Sequence, residues 1–154
     1  MHPRRYETFI MLAPNLEAEV METFKNKVDG IMASEGGQLV KFEDWGRRLL
    51  SDPVKKELYG HYLLYDFQGS PGLAAELERN LKIDEKVFKY LTLVLEKKFT
   101  DEDLVKAKEA LMAEAARREA EKARAAQVDQ EAADEDDGDQ VDGDDDAAED
   151  DDEE

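Results

Sequence analysis

The sequence predicts an α+β fold of the ferredoxin-like, split β-α-β class: a four-stranded antiparallel sheet with two helices on one face. Three observations support this prediction. Four segments have the residue types and alternation of strands, and two place apolar residues at helical spacing. These segments follow one another in the order βαββαβ. The 154 residues, 41% of them hydrophobic, suffice for one domain with its own core.

The first three elements are read from residue type and spacing. RYETFIML, Arg5 to Leu12, is rich in aromatic and branched residues and stops at Ala13-Pro14, which indicates a buried strand. Asn15 is a candidate N-cap for a helix with one apolar face, which ends at Gly36-Gly37. QLVKFEDW, Gln38 to Trp45, alternates as a second strand.

The last three elements complete the order. ELYGHYLLYDF, Glu57 to Phe67, reads as the third strand, and Gly69-Ser70-Pro71-Gly72 then breaks the chain. A leucine at every fourth position from Leu73 to Leu81 marks a short second helix. KVFKYLTLVLE, Lys86 to Glu96, is a strongly apolar fourth strand. The face of the sheet away from the helices is expected to be open.

Beyond the predicted domain, residues 1–99, the chain changes character. Thr100 and Asp103 resemble a capping box, and Ala, Glu, Lys and Arg dominate residues 100–127, which predicts a mostly exposed helix that frays toward Gln127. Residues 129–154 hold 17 of the 40 acidic residues and none of the 21 basic ones. We expect residues 128–154 to form a disordered acidic tail, which leaves the folded part nearly neutral.

Several functional classes are disfavoured by what the sequence lacks. It has no cysteine and only two histidines, so thiolate and histidine-cluster metal sites are excluded. It has no glycine-rich phosphate loop and no nucleophile elbow. No apolar run approaches the roughly 20 residues that span a bilayer. We therefore expect a cytoplasmic protein that is not an enzyme, with no cofactor, no metal, no small-molecule substrate and no membrane partner.

A basic cluster between the second and third predicted strands is the positive signal. Four cations lie within ten positions, opposed there only by Asp52: Arg47, Arg48, Lys55 and Lys56. Arginine offers a planar fork for phosphate, lysine a mobile point charge, and Trp45 an aromatic face. Arg4-Arg5, at the start of the first strand, is a second basic pair. The alternative interpretation is a solvated hairpin whose charges prevent edge-to-edge aggregation.

Aromatic residues in the strands are expected to be mostly core, because one face of every strand must cover the helices. Tyr59, Tyr65 and Tyr90 carry polar tips that suit a half-wet interface with protein or RNA. With Trp45 they are the candidate interface aromatics.

Four motifs in order carry a family resemblance. They are RRYET at Arg4 to Thr8, WGRRLLSDPVKK at Trp45 to Lys56, GHYLLYDF at Gly60 to Phe67 and KYLTLVLEKK at Lys89 to Lys98. Over about residues 4–98 the chain resembles the ribosomal protein six family of the bacterial small subunit. It departs from that pattern at Asp52, where an aromatic residue is usual, and at Lys89, where arginine is frequent.

The resemblance implies a non-catalytic constituent of the small ribosomal subunit in the cytoplasm. Such a protein binds the central domain of small-subunit ribosomal RNA together with small-subunit ribosomal protein eighteen. The residues that the resemblance marks for RNA or partner contact are Arg4, Arg5, Arg47, Arg48, Lys55, Lys56 and Lys89. Two alternatives stay open: a single-stranded RNA-binding module of the RRM type, and a ferredoxin-like regulatory domain.

Overall fold

A computed structural model of the chain describes residues 2–134. The elements are β1 Arg4–Leu12, α1 Ala18–Ser34, β2 Gln38–Val54, β3 Glu57–Gly69, α2 Pro71–Ile83, β4 Val87–Glu96 and α3 Asp101–Asp134. The described residues divide into two units between Met112 and Ala113. The predicted βαββαβ order is confirmed.

The four strands form one antiparallel sheet in the order β2-β3-β1-β4. Alternate residues of β1 and β3 bury their side chains against the apolar stripes of α1 and α2. This core contains Ile10, Leu12, Leu63 and Phe67 from the strands and Phe24, Val28, Leu73 and Leu77 from the helices. The predicted ferredoxin-like fold is therefore correct, with both helices on one face.

The start of α1 differs from the prediction. The helix begins at Ala18 with Glu17 as N-cap, and no side chain caps it. Asn15, the expected N-cap, lies instead in a turn with Pro14. Both residue types favour tight turns, and here the turn took precedence over the cap. The start of α2 is capped, because Ser70 Oγ accepts a hydrogen bond from the N–H of Leu73 at 3.2 Å.

The expected basic loop is a β-hairpin. β2 continues to Val54 and β3 begins at Glu57, so only Lys55 and Lys56 connect them. Both lysines have positive φ, 47° and 64°, as a type I′ turn requires. This conformation costs about 1–2 kcal/mol for each residue other than glycine. β2 is longer than predicted because its pairing with β3 extends over polar residues, which show no alternation of apolar and polar positions.

The start of α3 is partly buried. Thr100 and Asp103 form the predicted capping box, with Thr100 N–H donating to Asp103 Oδ2 at 2.9 Å. Phe99, just before the helix, and Leu104 in its first turn are buried with Val40 of β2, while most of the helix is exposed. The helix also continues to Asp134, seven residues past Gln127, since its alanines and charged residues sustain helix. The rest of the predicted tail, residues 135–154, lies outside the described residues.

Candidate nucleic-acid interface

The base of the hairpin is fixed by Asp44. Its carboxylate accepts the N–H of Gly46 at 2.9 Å and lies 2.6 Å from Nε2 of His61 and 3.2 Å from Nζ of Lys25. Desolvation by itself raises the pKa of Asp44, but these hydrogen bonds outweigh it and hold the pKa below its ordinary value. Gly46 has φ of +70° at a register shift in the β2/β3 pairing. The network thus ties α1, β2 and β3 together where the basic hairpin, residues 46–60, begins.

Two arginines of the basic hairpin lie over aromatic rings. The guanidinium carbon of Arg47 is 4.1 Å from the ring centroid of Tyr59, and that of Arg48 is 5.4 Å from the ring of Trp45. Arg48 Nε also donates to the Trp45 carbonyl at 3.3 Å. Trp45 and Tyr59 remain 39% and 38% exposed. Each pair holds a guanidinium in place beside an accessible aromatic surface.

The tip of the basic hairpin crosses the sheet. Lys55 Nζ lies 5.2 Å from the ring centroid of Phe88 in β4, although β4 is the far edge strand from β2. The crossing passes over β1, where a β-carbon on Gly60 would lie 2.8 Å from Met11 Cγ. Glycine allows this close approach, because a larger residue would require the Met11 side chain to shift. The tip therefore reaches Lys89, the neighbour of Phe88.

The structure brings three lysines to one pocket of about 420 Å³ at this end of the sheet. Lys55 and Lys89 were predicted as contact residues, whereas Lys82 of α2 was not. A single lysine in the last turn of a helix carries no sequence signal, because the same residue is expected there to complement the helix dipole. Lys56, next to Lys55 in the turn, is exposed and does not line the pocket.

The N-terminal arginine pair is less available than predicted. Arg5 donates to Asp66 at 2.7 Å and to Glu96 at 3.3 Å, and its guanidinium lies over the ring of buried Phe99 at 5.3 Å. The Asp66 side chain is only 4% exposed. Arg5 thus neutralises a buried carboxylate inside the domain. Arg4 is half-buried and opposite Gly69, apart from the basic hairpin.

One of the four predicted interface aromatics is buried in the core, and a second is half-buried and lines a surface pocket. Tyr65 is 1% exposed and packs on Phe42, with ring centroids 4.8 Å apart, so it is a core residue and not an interface residue. Burial raises its pKa. Tyr90 is half-buried against the same core. Both lie on the face of the sheet that covers the helices. Alternation along a strand does not by itself say which face is buried, so this placement depends on the register.

The opposite face of the sheet carries an accessible apolar patch. Phe9 of β1 pairs with Leu91 of β4 and packs edge-on against Trp45, with ring centroids 5.4 Å apart. Leu91 and Leu93 are 55% and 41% exposed. We name Phe9, Trp45, Leu91 and Leu93 the apolar sheet patch. It lies beside the basic hairpin, because Trp45 belongs to the patch and also contacts Arg48.

Among residues 2–128, whose side chains the structure describes, there is no group of three or more histidine and acidic side chains arranged to hold a metal ion. Within that range, no helix has the length and apolar character needed to cross a bilayer.

Comparison with known proteins decides the family. A family model described as ribosomal protein S6 matches residues 5–94, from β1 into β4. The chain belongs to the ribosomal protein S6 family. Small ribosomal subunit protein bS6 of Desulforapulum autotrophicum is 40% identical over 115 residues, which are 75% of this chain and 72% of that protein. The bS6 protein of Syntrophobacter fumaroxidans is 38% identical over 99 residues, 64% of this chain and 67% of that protein.

A solved structure agrees with the S6-family fold. The crystal structure of 30S ribosomal protein S6 from Thermotoga maritima matches with a TM-score of 0.57, over 71% of this chain and 98% of that chain. At 24% sequence identity this likeness supports the fold alone. The basic hairpin and the apolar sheet patch both lie inside the region that the S6-family model matches.

Proposed function

We propose that this protein is a structural, non-enzymatic constituent of the small subunit of bacterial ribosomes in the cytoplasm. In this proposal it binds the central domain of small-subunit ribosomal RNA together with small-subunit ribosomal protein eighteen. Membership of the ribosomal protein S6 family supports the ribosomal assignment. It also argues against the RRM-type and regulatory alternatives.

The main support for RNA binding is that the positive charge of the basic hairpin is not neutralised by ion pairs. Its four cations are all exposed, and none forms an ion pair with a carboxylate in the part of the chain that the structure describes: Arg47, Arg48, Lys55 and Lys56. By contrast, Arg5 and Lys25 are paired with carboxylates. Free, pre-positioned cations release counterions from a phosphate backbone without first losing an internal partner.

The apolar sheet patch supports a protein partner beside the RNA. Trp45 and Arg48 are residue types that dominate binding energy at protein interfaces, and exposed Leu91 and Leu93 extend the apolar area. The patch adjoins the basic hairpin, so one partner protein can occupy it while RNA contacts the cations. This arrangement suits ribosomal protein eighteen as the occupant.

Titration of labelled central-domain RNA with and without ribosomal protein eighteen tests the proposal. We expect weak binding alone, since one small module makes few phosphate contacts, and tighter binding with the partner. Equal affinity in both titrations would remove the joint-binding claim. Leu91→Lys should weaken the partner's effect, whereas Val105→Lys, at an equally exposed position (55%) on α3, should not.

A further inference from the structure

The lysine pocket, lined by Lys55, Leu81, Lys82, Val87, Phe88, Lys89 and Tyr90, combines two kinds of surface. Three lysines supply positive charge, and no carboxylate is among its lining residues. Phe88 and Tyr90 supply aromatic surface on the same strand. Its volume of about 420 Å³ falls within the roughly 300–1,000 Å³ of small-ligand sites.

The lysines of the lysine pocket are not neutralised by carboxylates of the described side chains. Lys55, Lys82 and Lys89 are exposed, and none is ion-paired with a side chain of residues 2–128, the range whose side chains the structure describes. Asp84, two residues after Lys82, has a buried side chain that is paired with Lys86 at 3.1 Å and with Lys27 at 3.7 Å. A helix-dipole role explains Lys82 by itself, but it does not explain why a strand lysine and a hairpin lysine converge on it.

The position of Lys55 depends on a strained backbone. Its φ of 47° and that of Lys56, 64°, belong to a turn that favours Asn-Gly, yet both positions are lysine. The turn sets Lys55 Nζ 5.2 Å from the ring centroid of Phe88. Strained residues cluster at ligand sites, where the surrounding structure holds them in place.

We propose that the lysine pocket binds one nucleotide of the bound RNA, with its phosphate among Lys55, Lys82 and Lys89 and its base against Phe88 and Tyr90. This proposal rests on the proposed RNA-binding function and gives it a specific subsite. Base stacking on an aromatic ring requires an unpaired nucleotide, so the pocket selects a single-stranded or bulged position over a continuous duplex.

The test uses the full-length, isotope-labelled protein and three probes: adenosine 5′-monophosphate, adenosine and inorganic phosphate. We expect the monophosphate to shift amide resonances of residues 81–82 and 87–90, and to bind at least about fivefold more tightly than inorganic phosphate, the lower end for one stacked base. Adenosine should bind more weakly than the monophosphate. Inorganic phosphate as tight as the nucleotide would overturn the base contact, and adenosine as tight would overturn the lysine contact.

Substitutions of the pocket lysines, with a control in the same turn, test whether the nucleotide binds in the lysine pocket. Lys55→Gln combined with Lys82→Gln and Lys89→Gln should abolish the shifts, whereas Lys56→Gln, in the same turn but outside the pocket, should keep them. All four side chains are exposed, so the variants should remain folded, and their melting temperatures check this. Unchanged nucleotide binding by the triple variant would overturn the proposal.

The subsite and the proposed function can fail separately. If full-length protein binds central-domain RNA with its partner but no nucleotide shifts residues 81–90, the subsite is wrong and the function stands. If the nucleotide binds and the RNA does not, the pocket is a nucleotide site, but the proposed RNA-binding function and the pocket's place in it are wrong. Both titrations use the same protein samples.

Discussion

Gly60 of β3 lies so close to Met11 of β1 that an added β-carbon would sit 2.8 Å from Met11 Cγ. Leu50 Cδ2 would be 3.3 Å away on another side. The basic hairpin crosses β1 at this contact, and the crossing carries Lys55 to β4. A side chain larger than hydrogen at residue 60 would therefore press on Met11 and Leu50, where the hairpin packs on β1.

Gly60→Ala should lower the free energy of unfolding by about 1–3 kcal/mol, the usual cost of overpacking, because the Met11 side chain is itself buried. Urea denaturation followed by circular dichroism measures it. Gly30→Ala is the control: residue 30 lies in α1 with nothing within 4 Å of the added carbon, so alanine should stabilise by about 0.5–1 kcal/mol. Equal effects at both positions would contradict the close contact.

Reversal of the two hairpin arginines tests their role in RNA binding. Arg47→Glu with Arg48→Glu should weaken RNA binding and flatten its salt dependence by about one unit of slope for each phosphate that the protein no longer neutralises. Stability should change little, since exposed charges contribute at most about 1 kcal/mol each. Arg117→Glu with Arg118→Glu, an adjacent exposed pair in α3, is the matched reversal and should leave the salt slope unchanged.

Arg5 is expected to matter for stability more than for RNA binding. Arg5→Ala leaves the Asp66 carboxylate, whose side chain is 4% exposed, without its cation and should cost about 1–3 kcal/mol. Removing both charges in Arg5→Met with Asp66→Leu should cost less than removing Arg5 alone. Chemical denaturation of the three proteins measures this. If Arg5→Ala keeps full stability but binds RNA more weakly, Arg5 is an RNA-contacting residue, as the family resemblance implies.

Asp44 should stabilise the fold at neutral pH and lose this contribution at acid pH. Because its folded-state pKa is lowered, the stabilisation is present at neutral pH, above the unfolded-state value, and is lost as pH falls through the folded-state value. The stability difference between wild type and Asp44→Asn should therefore shrink below about pH 4. Denaturation curves between pH 7 and pH 2 give this difference. Asp52→Asn, an exposed hairpin substitution, should show no such trend.

The sequence by itself determined the order and type of the elements in the S6-family domain. Strand and helix periodicities are local properties, and here each agreed with the global fold, as with the leucine repeat from Leu73 to Leu81 in α2. The capping box at Thr100 and Asp103 could also be predicted from the sequence, because its hydrogen bonds span only three residues. Turns were harder to predict. At Asn15 the preference for a tight turn competed with the preference for a helix N-cap, and residue type alone could not say which would occur.

Only the tertiary structure decided which side chains are accessible and which converge. Tyr59 and Tyr65 look alike in sequence, yet the register of β3 buries the second against the helices and leaves the first beside Arg47. Lys55 and Lys82 are 27 positions apart and meet because the hairpin folds back across β1, over the glycine at residue 60. Register and close packing are long-range properties, set by the partners that each strand finds, so no local pattern in the chain encodes them.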